Sequence, residues 1–139
     1  MLIYHFTELD VYRRSSELAE RIFVLSKRWP PEERYSLTDQ IRRAARSVGA
    51  NIAESWAKRR YEAHFVSKLT DADGENHEVE DWLLTACRDG YLTPAEFDEL
   101  LALKREVGAK LGRMIQHPGP FLLRYPAPPS SVLSPPSSE

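Results

Sequence analysis

Phe65, Leu69, Ala72, Asn76, Val79, Leu83 and Ala86 recur at alternating intervals of 4 and 3 residues. A 3.5-residue repeat sustained this long lines its side chains along one helix stripe. Such a stripe is buried by laying other helices beside it, nearly antiparallel and with a left-handed twist. The spacing predicts a helix over Glu62–Arg88, and no segment shows the strict alternation of a half-buried strand. Asn76 interrupts the apolar seam, where a lone polar residue fixes register.

Three further segments supply partners for that seam. Val11, Ser15, Leu18, Ile22, Leu25 and Trp29 step by 4, 3, 4, 3 and 4 residues, predicting a helix over Leu9–Arg28. Trp29-Pro30-Pro31 ends it, since proline bars the preceding residue from helical geometry. A second helix is expected after Ser36, with Ser36 and Asp39 as a capping box and Leu37, Ile41, Ala44, Val48 and Ile52 as its buried stripe. It should end near Lys58-Arg59-Arg60, cations suited to a helix C-terminus. Gly90 closes the third helix, and Thr93-Pro94-Ala95-Glu96 starts a fourth with a complete box and proline at the first helical position. That helix should reach Gln116 and bury Phe97, Leu100, Leu101, Val107, Leu111 and Ile115. Gly108 and Gly112 each cost roughly 1 kcal/mol against alanine in a helix interior, so close helix approach is expected there. The expected fold is all-α: an antiparallel up-down-up-down four-helix bundle over residues 1–116. Residues 117–139 form a partly docked tail, with Phe121, Leu122, Leu123 and Tyr125 folding back before a Pro/Ser-rich disordered end.

Composition narrows the function. No apolar run approaches the ~18 residues of a membrane span, and Met1–Asp10 lacks a basic flank followed by an apolar block, so neither membrane insertion nor secretion is expected. Cys87 stands alone, which excludes an internal disulfide and fits a reducing cytoplasm. The net charge of −2 hides an uneven distribution. Residues 1–60 hold 12 basic and 8 acidic groups, residues 61–139 hold 7 and 13. Such a chain pairs internally, pairs with its own copies, or offers its basic half to a polyanion.

The basic half supplies the candidate sites. Arg42 and Arg46, four apart, share a helix face, with Arg43 turned 100° from Arg42 by helix geometry. Guanidinium forks suit phosphate; they equally suit the acidic third helix, where Asp71, Asp73, Glu75, Glu78, Glu80 and Asp81 crowd together. Lys58, Arg59 and Arg60 stand near Trp56 and Tyr61, a combination that holds single-stranded RNA by charge and stacking or else forms a solvated helix end. His77 lies four residues from both Asp73 and Asp81, but the Glu-x-x-His pairs of bundle metal sites are missing. Asn51 and Glu54 come with no nucleophile and base at recognisable spacing. No enzyme, metal or cofactor is expected.

Leu37, Gln40-Ile41-Arg42-Arg43-Ala44-Ala45, Ser47 and Asn51-Ile52-Ala53-Glu54 resemble the signature of the four-helix-bundle proteins encoded in intervening sequences of bacterial 23S ribosomal RNA genes. Ala72-Asp73-Gly74, Glu78-Val79-Glu80, Gly90-Tyr91-Leu92 and the opening Phe6-Thr7-Glu8-Leu9-Asp10-Val11-Tyr12 fit the same family, over about residues 6–115. Ser55, Glu75 and Arg46 depart from it, replacing the family's usual glycine, serine and apolar residue. The resemblance implies a homopentamer and kinship with the accessory protein of diversity-generating retroelements, which binds nucleic acid and the reverse transcriptase. The expected function is a non-catalytic, self-associating scaffold or binding module. Its partners are its own copies and RNA or a nucleic-acid-bound protein such as a reverse transcriptase, met through the basic second helix. The alternative is a purely structural homo-oligomeric module with no nucleic-acid contact.

Overall fold

The computed structural model describes residues 2–123. Four helices dominate them: α1 (Asp10–Ser26), α2 (Asp39–Ala57), α3 (Glu62–Arg88) and α4 (Pro94–Gln116). Each packs on its neighbours in a ring, α1 and α3 both touching α2 and α4. Short connections make successive helices antiparallel. The Pro/Ser-rich end and Tyr125 lie outside the described residues.

The α3 seam is buried as its period requires: all seven residues from Phe65 to Ala86 have no exposed surface. The stripe Leu37, Ile41, Ala44, Val48 and Ile52, running from the turn before α2 along that helix, is buried too, with Ala45 beside it. Small residues let α1 approach α2 closely there. The ring of Tyr12 lies over Gly49, and a Cβ on Gly49 would sit 3.5 Å from it and 3.6 Å from the Ser15 hydroxyl.

Three local expectations fail for identifiable reasons. Ser36 and Asp39 do not form a capping box, because a wide π turn over Arg34–Thr38 runs straight into α2 and the Asp39 N–H already finds the Arg34 carbonyl. The Ser36 hydroxyl instead donates to the Glu33 carboxylate, 2.7 Å away. On α4 the buried stripe is Leu100, Leu103, Val107, Leu111 and Met114, while Phe97, Leu101 and Ile115 are only partly covered. The buried residues step by 3, 4, 4 and 3, one regular helix face with Lys104 beside it, whereas Phe97, Leu101 and Ile115 lie on its flanks, so apolarity alone did not separate centre from edge. Gly112 has no neighbour that a Cβ would meet, so close approach explains Gly108 only.

Gly108 marks the middle of the bundle. Leu18, Ile22, Ile41, Val79, Leu83, Ala86 and Leu100 pack around one end; Val11, Val48, Ile52, Phe65, Leu69, Val107 and Leu111 pack around the other. Between these two apolar clusters along the chain lie Ser15, Asn76 and Lys104, all buried. The Asn76 amide donates to the Lys104 carbonyl at 3.1 Å, and a Cβ on Gly108 would lie 3.2 Å from that amide nitrogen. Glycine leaves room for the register-setting asparagine. Lys104 reaches the Glu80 carboxylate at 2.6 Å, and that bond holds the Glu80 carboxyl below its ordinary value.

The α3–α4 turn is built as its sequence demands. Gly90 takes φ +83°, the left-handed region. The Tyr91 N–H reaches the Ala86 carbonyl and the Gly90 N–H the Cys87 carbonyl, completing a Schellman close. The Thr93 hydroxyl accepts the Glu96 N–H at 3.1 Å while the Glu96 carboxylate accepts the Thr93 N–H at 2.9 Å. Thr93→Ala is expected to destabilise the protein by about 1 kcal/mol in denaturant unfolding.

Glu96 also pairs with Arg28 of the segment after α1. The Arg28 hydrogen bond first, and the Thr93 N–H second, hold the Glu96 carboxyl down at about 2, against an ordinary 4.5. A depressed carboxylate stabilises the fold above its unfolded value and loses that contribution as the pH falls through its folded value. The stability difference between the wild type and Glu96→Gln should therefore be full above about pH 5 and vanish towards pH 2. Urea titrations of both proteins across that window measure it; a difference independent of pH would contradict it.

Candidate nucleic-acid interface

The two basic groups marked by the sequence are built differently. Arg42 is half-buried where α2 crosses the end of α1. Its Nε donates to the Ser26 hydroxyl at 2.8 Å, and Nη2 makes a long 3.5 Å contact to the Phe23 carbonyl. The last carbonyls of a helix carry partial negative charge, so a cation is stabilised there. Arg42 also lies 4.7 Å from the centre of the Phe23 ring, with Arg46 at 5.3 Å and Lys27 at 4.7 Å. One phenyl ring thus gathers three cations through its quadrupole. Arg43, exposed on the neighbouring face, makes a 3.4 Å contact to Gln40. Its charge also reaches Glu75 of α3. Burial raises the Glu75 carboxyl first and Glu78 raises it further, while Arg43 opposes them.

Among the described residues none of Arg42, Arg43 and Arg46 forms a salt bridge. Glu75 of the acidic third helix feels Arg43 without a salt bridge, while the cations facing α4 are closely paired. Arg14 grips Glu106 with two 2.8 Å bonds, and Arg21 pairs with Glu99, Arg28 with Glu96 and Asp10 with Lys110. Those pairs stitch α1 and its C-terminal extension to α4. On the opposite side Glu54 pairs with Lys68 at 2.6 Å. The three α2 arginines border an open depression of about 500 Å³ that also includes Asp39, Gln40 and Ser47. Three guanidinium groups against one carboxylate leave it positive.

The second basic group is divided. Arg59 folds over Trp56, its guanidinium carbon 3.6 Å from the ring centre, and donates to the Trp56 carbonyl at 2.7 Å. It also reaches the Phe121 carbonyl, and its own carbonyl accepts the Leu123 N–H at 3.1 Å. Burial pushes the guanidinium below its ordinary value. Arg59 is a clamp for the segment after α4, and Trp56, only 7% exposed beneath it, presents no face for a base. Lys58, Arg60 and Tyr61 remain exposed. The sequence joins Arg59 to the basic triplet because the returning C-terminal segment that claims it leaves no local signature.

The remaining candidates have structural roles. The Asn51 amide donates to the Ser47 carbonyl at 2.9 Å, and Glu54 holds Lys68. The His77 ring lies 2.8 Å from the Asp73 carbonyl oxygen. No group of three or more His, Cys, Asp or Glu side chains among the described residues is placed to hold a metal ion. No described helix is long and apolar enough to cross a membrane.

An antiparallel four-helix bundle with a two-part core, a buried asparagine in the middle and an arginine face on its second helix defines a class of small helical-bundle protein. The model of the 23S rRNA-intervening sequence protein family matches residues 7–113, and the chain belongs to that family. It is similar to the crystal structure of a protein of unknown function from the S23 ribosomal protein family of Bacteroides thetaiotaomicron VPI-5482. The TM-score is 0.68 and the identity 31%, covering 76% of this chain and 95% of that one. No curated protein matches.

Proposed function

We propose that this protein is a non-catalytic, self-associating bundle that contacts RNA, or a protein carrying RNA, through Arg42, Arg43 and Arg46. One observation supports this most: these arginines form no salt bridge among the described residues, whereas Arg14, Arg21 and Arg28, which face α4, are paired. Guanidinium groups held at a positive depression suit phosphates spaced along a strand. The Phe23 ring is surrounded by cations and Trp56 is covered, so recognition rests on phosphates with little stacking. Binding should therefore be nearly independent of base sequence.

The rival reading is a purely structural oligomer in which these arginines meet acidic residues of another copy. Glu75 favours it, since it already feels Arg43 and is raised by burial and by Glu78. Electrophoretic shift of a single-stranded RNA and light scattering on the same sample separate the two. The expected result is an RNA complex and a multiple of the 16.0 kDa subunit mass, a pentamer on the family resemblance. An oligomer that ignores RNA would favour the rival, and a monomer would contradict self-association.

A further inference from the structure

Beside the open arginine depression is a second, smaller one, where the end of α1, the turn after it and the first turns of α2 converge. It encloses about 290 Å³ and includes Ser26, Lys27, Trp29, Arg34, Thr38 and Arg42 in its lining. No carboxylate belongs to that lining. Glu33, adjacent to Arg34, is turned to the Ser36 and Tyr91 hydroxyls at 2.7 and 2.8 Å. Three cations from three elements therefore face one space, and none of them forms a salt bridge among the described residues.

The Thr38 hydroxyl, in the same lining, makes no hydrogen bond among the described residues and adds a free donor. Cations without a carboxylate partner and a spare hydroxyl together suit an anion rich in acceptor oxygens.

We infer that this cavity binds a terminal phosphate monoester. A monoester is a dianion with three free oxygens, which matches three cations and a spare hydroxyl; a diester within a strand offers only two such oxygens and one charge. The cavity has room for a phosphate group with several waters. Arg42 belongs to the linings of both depressions. A strand whose phosphorylated end enters the cavity passes next over Arg43 and Arg46. This deepens the RNA reading and rests on it for the source of the phosphate, since a free mononucleotide carries the same group.

The test compares one single-stranded RNA with a 5′-phosphate, with a 3′-phosphate and with hydroxyls at both ends. Binding is measured for the wild type and for Arg34→Glu, a change at an exposed side chain outside the open depression. A mononucleotide titration followed by amide NMR runs alongside. One terminal phosphate should tighten binding about tenfold or more, the worth of a few charge-assisted hydrogen bonds. Arg34→Glu should abolish that preference while leaving the hydroxyl-ended RNA bound. Equal affinity for all three RNAs would overturn the inference and leave the RNA reading standing. No RNA binding, with mononucleotide shifts centred on Lys27, Arg34 and Thr38, would support the cavity and overturn the RNA reading. No response to either probe would overturn both.

Discussion

Phe65→Ala is expected to remove about 3–5 kcal/mol of unfolding free energy, because it deletes the largest fully buried side chain and leaves a cavity that rigid helices cannot close. Phe65 packs in the cluster with Val48, Ile52, Leu69, Val107 and Leu111, and against Phe121 at 6.3 Å between ring centres. Leu83→Ala, in the opposite cluster, should cost ~2–5 kcal/mol by the same mechanism. Denaturant unfolding measures both. A loss under about 0.5 kcal/mol at either position would place that residue outside the core.

Arg43→Glu with Arg46→Glu is expected to abolish RNA binding while leaving fold and oligomer intact. Both side chains are exposed, so reversing them costs little stability. Arg42 is the poorer choice, since a carboxylate there would face the carbonyl end of α1 and the loss of folding would obscure the loss of binding. If these arginines instead meet acidic residues of another copy, the same double change breaks the oligomer. Light scattering and electrophoretic shift on the variant distinguish the two outcomes.

The ease with which this fold is read from sequence varies along the chain for physical reasons. The α3 seam was legible residue by residue because it is flanked by two helices and its period never breaks. The α3–α4 turn was legible because Gly90, Thr93, Pro94 and Glu96 act through their own backbone geometry. The start of α2 was not, since a π turn over Arg34–Thr38 satisfies N–H groups that a Ser36 cap would otherwise serve. On α4 apolar residues also line the flanks of the inward face, and the burial of Lys104 depends on Glu80, 24 residues away in sequence.

The candidate site divides in the same way. That Arg42, Arg43 and Arg46 lie on one side of a helix follows from spacing alone. That Arg42 is anchored on α1, and that Arg59 is occupied by Trp56 and the C-terminal segment, depends on long-range packing that no local pattern encodes. The cavity next to Thr38 was invisible for the same reason: its cations are up to 15 residues apart, and only the turn between α1 and α2 brings them together.

The central claim is that the α2 arginines neutralise RNA phosphates. The most direct measurement is the affinity of the wild-type protein for a single-stranded RNA as a function of salt concentration. Each neutralised phosphate contributes about −0.7 to the slope of log affinity against log salt, so three arginines predict a slope near −2 for each engaged subunit. A slope near zero, or no binding at physiological salt, would contradict it.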